Sequence, residues 1–159
     1  MKKIVLWLVF SLATMVPYTT ANASCHWWDL VCHARHWISG IAGDLERAAE
    51  GLSNALSKID SHNPDCRVSD ALLSDAQQCV RSIKADPKGA INNQQQLQVC
   101  TVYVCDILDS LGAGNIPTIC EDVSGPGAYV KAGELIDFLS NDAEGLLVDA
   151  IGRVSECTL

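Results

Sequence analysis

Basic residues are scarce in this chain of 159 residues, with 11 lysines and arginines against 19 aspartates and glutamates. Two of the basic residues, Lys2 and Lys3, stand at the extreme N-terminus, and the rest of the chain carries a net charge of −10. This balance argues against nucleic acid as a partner, because nucleic-acid binding needs a basic surface. It also disfavours anionic membranes and suits a partner that is itself basic. Beyond residue 23 no apolar run approaches the ~20 residues of a membrane span.

Catalytic signatures are missing as well. There is no G-x-S-x-G elbow, no H-E-x-x-H, no phosphate-cradling glycine loop and no EF-hand loop. Every histidine lies at or before His62, so a serine triad would have to draw its base from the first helix or the loop behind it. Glu134, Asp137 and Glu144 could do acid–base work, but nothing in the pattern pairs or buries them.

What the sequence does have begins with an export signal. Lys2-Lys3, an apolar run from Ile4 to Ala13 broken only by Ser11, then Ala21-Asn22-Ala23, form a secretory signal peptide over residues 1–23, bacterial in style. Cleavage is expected before Ser24. Cys25 invites a lipoprotein reading, but Asn22 stands where a lipobox needs an aliphatic residue. Residues 24–159 then form one domain, periplasmic or extracellular.

All eight cysteines fall in that mature part: Cys25, Cys32, Cys66, Cys79, Cys100, Cys105, Cys120 and Cys157. An even count in a small exported chain reads as a disulfide framework, with 105 possible pairings. Cys100 and Cys105, five apart, are too distant to bridge each other on a helix or a strand. Cys25 and Cys32, seven apart, cannot pair if one helix holds both. The bridges must therefore join different elements.

The apolar periodicity is helical. Val31, Ala34, Ile38, Ile41, Leu45, Ala48, Leu52, Ala55 and Ile59 alternate in threes and fours, which predicts a long amphipathic helix from Trp27 to Ile59. Gly40 and Gly43 are its weak point. His62-Asn63-Pro64 ends it. Ser69 is a predicted N-cap for a second helix, which Asp86-Pro87 stops. A third and central element runs from Ile91 to Leu111, with Gly112 as its C′ residue. Val99 to Val104 is β-branched enough to leave a strand open there. A connector around Ile119-Cys120 lies between two glycine-rich turns. A fourth helix over Ala128–Leu139 and a fifth capped by Asn141 and Glu144 complete the chain. The expected fold is an all-α, disulfide-stapled bundle of four or five helices with one long N-terminal amphipathic helix.

Two sets of residues carry candidate chemistry. His26, Asp29, His33 and His36 fall on one helical face, and three imidazoles with a carboxylate are ligands that zinc or copper accept. The plainer reading is a histidine-rich polar face and no cofactor. Trp27, Trp28 and Trp37 are the second set. Trp27 and Trp37 project towards the apolar arc, so core packing is the default and an interface the alternative.

The function these features suggest is an exported, non-enzymatic interaction protein acting on a protein partner, as an inhibitor, immunity factor or secreted accessory or virulence protein. A metal-binding protein using the histidine face is the alternative. A small secreted enzyme with an unrecognised site is a further one. The stripe on the first helix could equally serve a homodimer.

Overall fold

The computed structural model describes residues 30–61 and 68–154, with side chains from residue 34 onward. The chain divides into two units, Met1–His33 and Ala34–Leu159. Of the first, only the helical backbone from Leu30 to His33 is described. The second is all-α and disulfide-stapled, with no strand among the described residues.

Helix α1, Leu30–Ser61, runs unbroken for 32 residues through Gly40 and Gly43. Neither glycine touches anything that a methyl group would meet, so the two cost helix propensity but impose no kink. The apolar stripe is buried from Ala42 and Leu45 to Ile59, whereas Ile38 and Ile41 are half-buried and Ala34 is exposed. The opposite face, with Glu46, Arg47, Glu50, Asn54 and Lys58, is exposed as the polar arc requires.

Helix α2, Asp70–Ala85, starts where Ser69 Oγ accepts the amide of Leu72 at 3.2 Å. Its buried face is Leu73, Ala76, Val80 and Ile83. Asp86 closes it and then opens α3, Pro87–Ile91, by accepting the Gly89 amide at 2.9 Å. Pro87 occupies a first-turn position, where its missing N–H costs nothing.

The central element is α4, Gln94–Ser110, which packs against α2, α3 and the helices that follow. Asn93 caps it through the Gln96 amide. The β-branched stretch Val99–Val104 is helical, because the core gathers around this segment: Leu97, Ile107 and Leu108 are fully enclosed. Enclosing each such side chain is worth about 1.5–3 kcal/mol, which exceeds the few tenths that branching costs a helix. The helix ends in a Schellman motif: Gly112 at φ +69° and Ala113 return their amides to Asp109 and Leu108.

The region expected to be a connector around Ile119-Cys120 is a short helix, α5, Thr118–Ser124. Pro117 supplies its extended N-cap geometry, and Cys120 and Val123 are buried. The predicted fourth helix begins later than its pattern suggested. Residues 128–131 are non-helical, and α6 spans Ala132–Asp137. Nor does Asn141 cap a separate fifth helix. A π-helical turn, Phe138–Asp142, carries α6 directly into α7, Ala143–Arg153.

The buried residues explain that turn. Leu135, Leu139, Ala143, Leu147 and Ile151 recur every four positions. In an α-helix four residues overshoot a full turn by ~40°, so four such steps would carry the stripe ~160° round towards solvent. One wider turn resets the face.

Two disulfides pin α4 from different sides. Cys79–Cys100 ties it to α2, and Cys105–Cys120 ties it to α5, with Cα–Cα distances of 5.6 and 5.5 Å. Each bridge joins different elements, as the spacing demanded. Cys25, Cys66 and Cys157 lie outside the described residues, and of Cys32 only the helical backbone is described. With two bridges assigned, three pairings of those four remain.

Candidate functional site

A groove of about 600 Å³ opens along the outer face of α4. Its floor is Gln95, Val99, Val102 and Tyr103, which fall on one face at helical spacing. Val99, Val102 and Tyr103 are half-buried, and this apolar face is distinct from the one that α4 turns to the core.

The far wall is Ala128 and Tyr129, in the non-helical segment 128–131. Gly127, at φ +77°, turns the chain into it. Gln94 then donates its side-chain amide to the Val130 carbonyl at 2.7 Å, and Gln98 donates to the Ala128 carbonyl at 2.9 Å. The segment thus hangs from α4 by two side-chain amides that satisfy backbone carbonyls no helix or sheet engages. Val130 points into the core, and its neighbour Tyr129 is 75% exposed at the groove.

None of the lining side chains is charged. The groove offers apolar floor, amide groups and two phenol rings. Such a surface recognises neutral polar and aromatic groups by contact and hydrogen bonding rather than by ion pairing. It is also stiff, since the floor helix carries both disulfides.

The residues singled out by sequence lie elsewhere. Trp37 is 69% exposed on α1, so it is not a core residue. The reason is positional: the core side of α1 is fully covered only from Ala42 onward, one turn beyond it. Trp27 and Trp28 lie outside the described residues, as do His26 and Asp29. His33 is helical backbone only, and His36 is exposed. Among the described residues no group of three His, Cys, Asp or Glu side chains converges on a common point. Glu134, Asp137 and Glu144 are all exposed. The Asp106 carboxyl, on α4, stands above its ordinary range, raised by partial burial and by the neighbouring charge of Asp109.

Sequence reasoning missed Gln94, Gln98, Val99, Val102, Tyr103 and Tyr129 as a group. The signal available was a second apolar strip on α4, at Val99, Val102 and Tyr103, outside the main stripe.

No family model matches the chain, and no curated protein or solved structure matches it either. Among the described residues no helix is long and apolar enough to cross a membrane. The disulfides imply an oxidising environment.

Proposed function

We propose that this is an exported binding protein that engages a protein partner through the α4 groove. One observation carries the reading: Tyr129 stands three-quarters exposed on a groove wall that two glutamine hydrogen bonds hold in place. An exposed tyrosine on a preorganised wall loses little entropy when a partner covers it, and tyrosine is among the residues that dominate interface energies. The net negative charge of the chain speeds encounter with a basic partner, and the uncharged floor provides the contact. The expected signal peptide and the disulfides support a periplasmic or extracellular setting for this activity.

A photo-crosslinking residue at Gln95, compared with one at exposed Asp75 on α2, tests the reading in the native export compartment. The groove position is expected to trap one discrete polypeptide. Excess unlabelled protein should compete for it, and Tyr129→Ala should weaken capture about tenfold or more, as for an interface anchor. Equal capture from both positions, or capture indifferent to Tyr129→Ala, overturns it.

A further inference from the structure

A second cleft, of about 350 Å³, involves none of the groove residues. Trp37 and Ile41 of α1, Ile91 at the end of α3, and Ile136 of α6 supply its apolar surface. Its volume sits at the lower end of the ~300–1,000 Å³ range of small-molecule pockets, room for a body of about one ring.

Its charged groups are of one sign. Asp44 and Asp137 bring carboxylates to the cleft, and no cationic side chain is among its described lining residues. Asp44 accepts a hydrogen bond from Arg47, which lies outside the lining. Asp137 Oδ1 accepts from Asn141 Nδ2 at 2.7 Å. Both carboxylates keep oxygen lone pairs for a further donor.

Ser140 adds a feature of the cleft wall. Its Oγ is shielded from solvent and has no hydrogen-bond partner. Elsewhere in these helices serine hydroxyls donate back to the preceding turn, as Ser57 does to Ser53 and Ser110 to Asp106. Ser140 belongs to the π-helical turn, and it lines the cleft. Leaving a hydroxyl buried without a partner costs about 1–3 kcal/mol, and π turns are frequent at functional sites.

We propose that this cleft is a binding site for a small apolar cation, an aromatic or alkyl ammonium. The apolar body lies on Ile41, Ile91 and Ile136 beneath the Trp37 ring. The ammonium faces the carboxylates of Asp44 and Asp137. The indole adds cation–π attraction, for which tryptophan is the best aromatic partner. A neutral ligand would add no counter-charge to Asp137, which is met by the Asn141 amide where Asp44 has the Arg47 guanidinium, and an anion would be repelled by it.

The test is calorimetric titration of the disulfide-intact mature protein with phenethylammonium, phenethyl alcohol and phenylacetate. Phenethylammonium is expected to saturate with a dissociation constant below about 1 mM, the alcohol to bind about tenfold more weakly, and phenylacetate not to saturate. The Asp44→Asn/Asp137→Asn variant should erase the preference for the cation over the alcohol. Trp37→Ala should weaken both ligands. Tyr129→Ala should titrate as the unaltered protein does, which separates this site from the groove. Equal affinity for the cation and the alcohol, tighter binding of phenylacetate, no saturation by phenethylammonium, or an affinity unchanged in the double asparagine variant overturns the proposal.

Discussion

The side-chain amide of Gln94 donates to the carbonyl of Val130 at 2.7 Å, across 36 residues of sequence. Gln98 repeats the device with Ala128 four residues along the same helix. One helical turn separates the two donors and two residues separate the two acceptors, so the spacing of α4 sets the pitch at which residues 128–131 are held.

Removing these amides should loosen that segment and little else. Gln94→Ala and Gln98→Ala are each expected to cost about 1 kcal/mol, the net worth of a hydrogen bond whose partner has limited access to water. Amide hydrogen exchange should accelerate across 128–131 and stay slow in α2. Uniform acceleration through both regions would show that the amides support the whole core instead.

Peptide mapping under non-reducing conditions should recover Cys79–Cys100 and Cys105–Cys120. Replacing either pair by alanines should cost about 3 kcal/mol in urea denaturation, with the 21-residue separation of Cys79 and Cys100 costing slightly more than the 15-residue separation of Cys105 and Cys120. Intact mass should show all eight cysteines oxidised.

Two glycine substitutions should have opposite signs. Gly43 lies inside α1 with nothing near its Cα that a methyl group would meet, so Gly43→Ala should stabilise by about 0.5–1 kcal/mol. Gly112 sits at φ +69° in the Schellman turn. Gly112→Ala forces a side chain into that left-handed geometry and should destabilise by about 1–2 kcal/mol. Thermal unfolding of the two variants side by side is the measurement.

Asp106 should make the protein less stable as the pH rises. Burial and Asp109 push its carboxyl above its ordinary value in the folded state. The folded chain therefore holds that proton more tightly than the unfolded chain does. Stability falls as the pH climbs from the ordinary value through the raised one and is flat on either side. Asp106→Asn removes the penalty, so its melting temperature should exceed that of the unaltered protein at neutral pH and match it near pH ~2.5, where both forms are uncharged. An equal gain at both pH values would place the effect in packing and not in charge.

Much of the helical framework was legible because it is local. Ser69 and Asp86-Pro87 delimit α2 through groups within three residues of the boundary. Gly112 ends α4 for the same reason. The stripe from Leu45 to Ile59 is buried as its period required. The errors fall where distant contacts outvote local pattern. Residues 128–131 carry a largely helix-compatible composition, yet the amides of Gln94 and Gln98 take the carbonyls of Val130 and Ala128 and the segment is not helical. Asn141 and Glu144 match a capping box, yet the four-residue recurrence of buried side chains from Leu135 to Ile151 favours a π turn over a break. Trp37 lies near the apolar arc but ahead of the covered part of α1.

The sequence by itself determined the class: an acidic, cysteine-rich, helical chain whose bridges must span different elements, since those properties follow from composition and from spacing along one helix. Tertiary structure alone decided which cysteines meet, which apolar strip of α4 faces the core and which floors a groove, and that Tyr129 stands open at that groove. Each of those outcomes depends on residues 14 or more positions apart coming together. Periodicity records which side of a helix is apolar, but not what another part of the chain will place against it.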